Sequence, residues 1–565
     1  RYATIPKEEV TLAQSVRFAG TEESWSAVEL FTGHFRGKAS IQKAPPVRLG
    51  TPEERVAQNV IDGSKEGLIS DLDALLEGKG RTPLAPLEIV NGPLMKGMDQ
   101  VGRLFAKNEM IVAEVLQSAE VMKAAVAHLE PKMSKSDMAA RGTLLLATVK
   151  GDVHDIGKNL VHIILKNNGF RIVDLGIKCP PEDLIRAVKE HRPDMVGLSG
   201  LLVKSAQQMV ATAEDMKNAG IDLPVLVGGA ALSEKFTSTK ISLAYGGDVF
   251  YAKDAMSGLD LANRLMEKGS RETLLTANRV RQSELREGSS AAVAKSVVTR
   301  AVIRHEEDSP LPPDLKPHVL ENVRVEDIFR YINPVMLYGK HLGLRGTLKK
   351  LVEAGDEKAI KLQKDITDLQ GEILAQGLLK PRATWRFYSA QSEGDTLRVF
   401  DFPKSAEPAM SFAFPRQGGG EGLCLADFVR PASTGKRDFV GFFVVTCGQG
   451  ILDLSRQWME KGDYLKSHAV QSIAIESAEA FAELLHERLR AMWGFPDAPT
   501  LSLSDKFQTK YRGLRVSFGY PACPNLEDQE KLFRLLKPES IGVALTENYM
   551  MEPEATVSAL VFHHP

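Results

Sequence analysis

Residues 151 to 161 read GDVHDIGKNLV, with His154 set between Asp152 and Asp155 where an apolar run, TLLLATV, gives way to a helical pattern. A solvated turn between strand and helix carries polar residues of this kind as a matter of course, with Gly157 easing the packing of the helix. The spacing also suits a metal-binding imidazole. Such a ring needs its second nitrogen hydrogen-bonded to fix tautomer and basicity, and a carboxylate two residues earlier in the same loop can reach it. Asp152 is that carboxylate, and Ser205, near the end of another predicted strand, is placed to hold it in turn. One imidazole cannot hold a bare ion, and no other histidine or cysteine shares these strand ends at metal-ligand spacing. A metal here must therefore bring its remaining ligands with it.

The elements that position this loop follow from periodicity. The middle of the chain alternates apolar runs, TLLLATV, FRIVDLG, MVGLSGL, LPVLVGG and DVFYAK, with helical patterns such as PEDLIRAVKEH and SAQQMVATAEDMKNAG. That alternation predicts a parallel sheet covered by helices on both faces, a flavodoxin-like (Rossmann-type) α/β fold. Ligands of such sheets lie beyond the carboxyl ends of the strands. Asp152 with His154, Ser199 to Ser205, and Gly228 with Gly229 all follow predicted strands, so the fold should gather them at one edge. Upstream, Thr51 to about Pro131 carries four amphipathic helical patterns with short connections, which predicts a four-helix bundle. The polar PKMSKSDMAAR after it reads as a tether. Beyond about residue 270, a charged stretch ending in SPLPPDLKPH reads as a linker with helical parts. The remainder mixes strand-like TWRFYSA, TLRVFDF and FVGFFVVTC with helices such as AEAFAELLHERLRAMW, the pattern of a separate α+β domain.

A chain of 565 residues, 43% hydrophobic and 25% charged, is globular material for two to four domains. Net charge of -2 and a pI near 6.7 give no electrostatic footprint for nucleic acid or an anionic membrane. No apolar run approaches the roughly 18 residues of a spanning helix, and the opening residues lack a basic-then-apolar signal. Cys179, Cys424, Cys447 and Cys523 are far apart and form no CxxC, which fits reduced thiols in the cytoplasm. The chain opens on Arg1, so it reads as a piece of a longer polypeptide.

A corrinoid suits a lone imidazole, because its ring supplies the equatorial nitrogens of cobalt and leaves the protein an axial position. Its long nucleotide tail needs a slot, which the side-chain-free Gly228 and Gly229 would permit. Here a resemblance becomes specific. Asp152-x-His154-x-x-Gly157, Ser199-x-Leu201 and Gly228-Gly229 resemble the cobalamin-binding fold of corrinoid methyltransferases and mutases. The resemblance implies that His154 replaces the cofactor's own base below cobalt, with Asp152 and Ser205 as its relay. It further implies a cofactor pocket lined by Gly151, Val153, Asp155 and Gly157, by Ser199, Leu201 and Val203, and by Gly228, Gly229 and Ala252.

The bundle sequence NGPLMKGMDQVGRLFAKNEMIVAEVLQSAEVMKAAV is similar to the cap of the cobalamin-dependent methionine synthase family, which covers the upper face of methylcobalamin. By that similarity Phe105 and Val112 shield the methyl group, and Asn91, where the family commonly has a glutamate, lies near the ligand. Apolar residues at helical spacing serve equally as bundle core. Near the other end, RVSFGYPACP at 515 to 524 resembles the family's reactivation domain, which binds S-adenosylmethionine. Arg515 suits a carboxylate through paired hydrogen bonds, and the turn at Gly519 and Tyr520 lets backbone groups approach a flat adenine. The implied contacts are Arg515, Gly519, Tyr520 and Ala522, with Val561 and Phe562 replacing a more polar family pair. Asn333, in YIN where the family often has YID, would face the ligand's ammonium group.

The resemblance spans about residue 51 to 565 and implies a multidomain chain. Residues 1–50 are a linker remnant, 51–135 the helical cap, 136–270 the cobalamin-binding domain, 271–315 a linker and 316–565 the α+β reactivation domain. The implied function is that of the C-terminal half of a methionine synthase, a methyltransferase. It carries a methyl group from methyltetrahydrofolate to homocysteine and rescues cobalt(II) with one electron and a methyl from S-adenosylmethionine. A flavoprotein, flavodoxin-like or a reductase, is the expected electron donor. Barrel domains for homocysteine, with its zinc thiolates, and for folate do not fit in fifty leading residues and are expected as N-terminal domains of the same polypeptide. Other classes share parts of the pattern: a stand-alone corrinoid methyl carrier, a cobalamin-based sensor, an adenosylcobalamin mutase, or a corrinoid-free receiver phosphorylated on Asp152 or Asp155. A sensor acting on DNA should add a basic recognition helix, a mutase a substrate barrel.

Overall fold

The computed structural model describes residues 50–78, 82–133, 140–287, 303, 305, 309–417 and 422–564. The expectations for the leading segment and for most of the tether lie outside these residues. The helical bundle consists of α1 (Pro52–Asp62), α2 (Leu68–Glu77), α3 (Met95–Ala106) and α4 (Val112–Leu129). Pro93 lacks an N–H to donate and sits in a wider π turn, Val90–Leu94, that leads into α3 without breaking the chain's direction. The apolar faces, with Val56, Leu72, Met98 and Val121, form one cluster that runs on into Leu144, Ile164 and Phe250 of the neighbouring parallel-sheet domain.

That sheet contains all five expected strands, β1 (Thr143–Thr148), β2 (Arg171–Asp174), β3 (Met195–Ser199), β4 (Val225–Gly228) and β5 (Val249–Tyr251). They are parallel, in the order β2-β1-β3-β4-β5, with α5 (Ile156–Asn167), α6 (Pro181–His191), α7 (Val203–Asn218) and α8 (Ala255–Met266) among the connecting helices. The winding reverses between β1 and β3, which opens a crevice beyond their carboxyl ends. Register sets Thr148 beside Ser199 and Ser199 beside Gly228, so the three strands that carry the sequence motifs end on one line.

Where a linker was expected after residue 270, α9 (Lys268–Glu287) covers the exposed edge of the sheet. Leu274, Leu275 and Gln282 are buried, and the amides of Asn278 and Gln282 both donate to the Val249 carbonyl, at 3.0 and 2.7 Å. Two leucines and two amides, with Arg279 on Asp248, Arg281 on Glu234 and Arg286 on the Ser238 carbonyl, hold a helix whose sequence is mostly polar. The segment SPLPPDLKPH is likewise docked: Trp493 donates to the Pro310 carbonyl at 3.0 Å, and His318 opens a strand.

The last domain is built on one antiparallel sheet, from β6 (His318–Leu320), β7 (Arg382–Glu393), β8 (Thr396–Phe400), β9 (Met410–Ala413), β10 (Asp438–Thr446), β11 (Leu514–Val516) and β14 (Thr556–Phe562). Its order is β11-β14-β10-β7-β8-β9, with β6 also beside β7; β12 (Ala544–Leu545) and β13 (Met551–Glu552) pair separately. The central β10 is buried throughout, and its side chains alternate between two cores as strand geometry requires. Phe443 and Val445 join the cluster of Ile473 and Phe481 on the long helix α12 (Tyr464–Met492). Phe442 and Val444 join that of Leu532 on α13 (Asp528–Leu536). Helices α10 (Glu357–Gln376) and α11 (Ile451–Lys461) complete the domain.

Candidate functional site

The loop after β1 begins at Gly151, whose left-handed φ of 73° and closeness to Asn548 leave no room for a side chain. The last domain grips this loop, since Asn548 donates to the Lys150 carbonyl at 2.7 Å and Thr546 to that of Gly151 at 2.9 Å. Asp152 follows, wholly buried. Its Oδ1 accepts the His154 backbone amide at 2.9 Å and lies 2.6 Å from ring Nδ1, while its Oδ2 accepts the Leu201 amide at 2.8 Å. Three donors thus fix one carboxylate, and the carboxylate fixes the ring.

Burial disfavours the Asp152 anion, but the hydrogen bond and charge of His154 outweigh it and hold the carboxyl below its ordinary value. Burial likewise disfavours an imidazolium at His154, yet the Asp152 hydrogen bond and the charges of Glu554, Asp152 and Asp155 raise that ring above its ordinary value. Nε2 has no hydrogen bond among the described residues. Ser205 is fully buried near enough to Asp152 to favour its charge, but its Oγ finds no partner at hydrogen-bond geometry among the described residues. The expected relay is therefore joined from ring to carboxylate, and its hydroxyl end stands adjacent and unsatisfied.

His154 opens onto a cavity of about 760 Å³ between the parallel sheet and the last domain. Gly157, Ser199, Leu201 and Gly229 line it on the sheet side; Asn333, Arg515 and Tyr520 line it on the other. One space thus holds key residues of two motifs more than three hundred positions apart. Tyr520 is 60% exposed, a ring without cover, and Arg515 Nη2 meets Glu483 Oε2 at 3.1 Å.

Sequence reasoning passed over the carboxylates of this cavity, Glu476, Glu479 and Glu483 on α12 and Glu554 before β14. Spacings of three and four put the first three on one helical face, a signal legible in IESAEAFAELL. Glu479 opens to the cavity while shielded from bulk water, and that shielding raises its carboxyl. Burial pushes Glu554 up to about 8 despite the pull of His154.

The remaining expected contacts are distributed as follows. Gly228, Val203 and Ala252 stand at strand ends beside the cavity without forming its wall, Val203 being 68% exposed. A side chain at Gly228 would come within 3.1 Å of the Ala252 carbonyl. Val153 is buried, and Asp155 accepts Gln471 Nε2 of α12 at 2.8 Å. Gly519 donates its amide to the Cys523 carbonyl at 2.8 Å in the turn that presents Tyr520, with Ala522 packed on the core below. Val561 and Phe562 are core residues of β14, Val561 paired with Arg515. Asn91, Phe105 and Val112 lie in the bundle away from His154, and Val112 packs against Gly343 of the last domain.

Three family models match the chain: "Vitamin B12 dependent methionine synthase, activation domain" over residues 324–565, and two named "B12 binding domain" over 142–259 and 52–130. The chain thus contains two B12-binding domains and the activation domain of vitamin B12-dependent methionine synthase. The methionine synthases of Mycobacterium tuberculosis (strain ATCC 25618 / H37Rv) and Mycobacterium leprae (strain TN) are each 35% identical to it, over 604 and 611 residues. Those matches take in 99% of this chain and 50% of each relative, so the chain spans about half the length of these synthases. Among solved structures, that of the MetH reactivation domain bound to AdoHcy is 30% identical, covering 47% of this chain and 88% of its own, with a TM-score of 0.43.

The B12-binding domain also contains a buried ion cluster that anchors α5. Lys158 Nζ lies 2.8 and 2.6 Å from the two Asp174 oxygens, and His162 Nδ1 lies 2.9 Å from Oδ2. Burial opposes the Asp174 anion, but His162 and Lys158 outweigh it and hold the carboxyl far below its ordinary range. A folded-state value below the unfolded one, about 3.9, adds stability that is complete above the unfolded value and lost as pH falls beneath it. Asp174→Asn should cost about 3–5 kcal/mol at pH 7, because it strands a buried ammonium. Urea unfolding at a series of pH values should show that difference shrinking below about pH 4; a difference constant with pH would contradict the assignment.

Proposed function

We propose that this chain carries a methyl group on cobalamin and restores the cofactor with S-adenosylmethionine after oxidation. The observation that carries this reading is the single cavity shared by His154 and by Arg515 with Tyr520. When bound, cobalamin supplies a cobalt centre that takes up and gives off methyl groups and passes between oxidation states. The residues present fit it. Nε2 of His154 is free to serve as a ligand, the Ser205 hydroxyl is an orphan beside the relay, and Gly157 leaves open space in front of the ring. Asp152 holds its proton partner at Nδ1, which keeps the lone pair on Nε2. When the ring is not a ligand, Asp152 and Glu554 favour a proton at Nε2.

On the opposite wall, Arg515 would read the carboxylate of S-adenosylmethionine and Tyr520 would lie against its adenine. The cap residues Phe105 and Val112 would cover the cofactor in another arrangement, in which the last domain has moved away. A crosslink that pins the cap over the B12-binding domain should therefore abolish methylation by S-adenosylmethionine; an unchanged rate would contradict the alternation. Handling of homocysteine and methyltetrahydrofolate would fall to the half of the synthases that this chain does not span, and a flavoprotein would donate the electron.

Electron paramagnetic resonance of the cobalt(II) cobalamin complex tests the ligand. Nitrogen-15 histidine should change the nitrogen splitting in the unaltered chain, and an unchanged spectrum would mean that His154 does not bind cobalt. Asp152→Asn exchanges an acceptor for a donor facing the Leu201 amide. It should lower cobalamin affinity about 10- to 100-fold by equilibrium dialysis, and a change under about twofold would leave Asp152 without its orienting role.

A further inference from the structure

We infer that Glu483, and not Asn333, receives the ammonium group of the methyl donor's amino-acid end; the assignment rests on the reading of this cavity as the S-adenosylmethionine site. An α-amino acid carries ammonium and carboxylate on one carbon, so the acceptor for the first must stand beside the donor for the second. Glu483 meets that condition. Its Oε2 accepts from Arg515 Nη2 at 3.1 Å. Its Oε1 and the Nη1 of Arg515 are both buried with no partner among the described residues, although both side chains line the cavity. A buried acceptor and a buried donor left open side by side match the two charged groups of one amino acid. Glu483 is only 6% exposed, and burial raises its carboxyl above the ordinary range even with Arg515 and Arg490 pulling it back. It is a buried carboxylate with one oxygen unbonded.

The competing acceptors near Arg515 are engaged or misplaced, and Glu554 stands beside His154 instead. Asn333 Oδ1 accepts the Val335 amide at 3.0 Å, closing its own turn, and its amide is neutral. It therefore offers an ammonium no opposite charge. On α12, Glu476 is bonded to His341 at 2.9 Å, and Glu487 is held by the Tyr331 hydroxyl at 2.7 Å and by Lys506. Glu479 stands one turn before Glu483, about 6 Å along the axis, and has no contact with Arg515 within salt-bridge distance. Where family members rely on an aspartate in YID, this chain would use a carboxylate from the opposite side of the arginine.

Isothermal titration calorimetry on the full chain tests this with two probes, S-adenosylhomocysteine and its analogue with the α-amino group replaced by hydrogen. The unaltered chain should prefer the amine-bearing probe by about 10- to 100-fold, the worth of one charge-assisted hydrogen bond. Glu483→Gln should reduce that preference to within about threefold while still binding the deaminated probe, which also shows that the variant is folded. Asn333→Ala should retain the preference. The assignment is overturned if Glu483→Gln weakens both probes equally and keeps their ratio, or if Asn333→Ala removes the ratio. Failure of the unaltered chain to bind either probe would overturn the reading of the cavity itself, and the assignment with it.

Discussion

Gly229→Ala should yield a chain that does not keep a folded B12-binding domain. The backbone at Gly229 has φ of 149°, outside the range of L side chains, and an added Cβ would stand 1.7 Å from the Gly200 carbonyl oxygen. Relief has to come from backbone, because the obstacle is backbone. The segment that would move also donates the Leu201 amide to Asp152, so a shift there loosens the His154 relay as well. A clash of this kind belongs with the largest single-residue losses, above about 4 kcal/mol, a large share of the roughly 5–15 kcal/mol that holds a domain together. Thermal or urea unfolding measures it, and a loss below about 1 kcal/mol would show that the strand ends are not packed as described. Gly157→Ala provides the contrast. Nothing lies within 4 Å of its added Cβ, and helix propensity favours alanine. That variant should fold as well as the parent and bind cobalamin more weakly, since the methyl group projects into open space lined by His154.

Arg515→Ala should bind S-adenosylhomocysteine up to about a hundredfold more weakly than the parent. Charge-assisted hydrogen bonds to a carboxylate are worth about 1.5–3 kcal/mol each, Nη2 of Arg515 staying with Glu483, and about 1.4 kcal/mol corresponds to tenfold. Nη1 of this arginine is buried without a partner, so a ligand carboxylate would satisfy an existing deficit. Arg515→Lys keeps the charge and loses the fork, and it should recover only part of the affinity. Calorimetry on the three proteins reads the series. Equal affinity in parent and alanine variant would place the methyl donor elsewhere.

Much of this arrangement is legible in the sequence, for reasons particular to its parts. The five strands of the parallel sheet are short apolar runs separated by helical periodicity, and buried parallel strands leave few other readings for such a pattern. The convergence of His154, Ser199 and Gly229 follows from topology, because all three come after strands that register side by side. Less legible is whatever depends on one part of the chain meeting another. Helix α9 looks like a linker because it holds its place with two leucines and a set of polar side chains rather than a full apolar stripe. The carboxylates of α12 look like a solvated face until the B12-binding domain closes over them. Asn333 looks like a weakened copy of a family aspartate, and only the structure reveals that its oxygen closes a turn on the Val335 amide.

The central claim is that the two motifs of the shared cavity act on one another, and transfer of label across it is the most direct test. The chain, loaded with cobalamin and reduced by titanium(III) citrate, would be mixed with S-adenosylmethionine carrying carbon-14 in its methyl group. About one labelled methyl per chain should become attached to the cofactor, and Arg515→Ala, loaded and reduced to the same extent, should acquire almost none. Cobalamin that is bound and reduced in the unaltered chain, yet stays unlabelled, would contradict the claim.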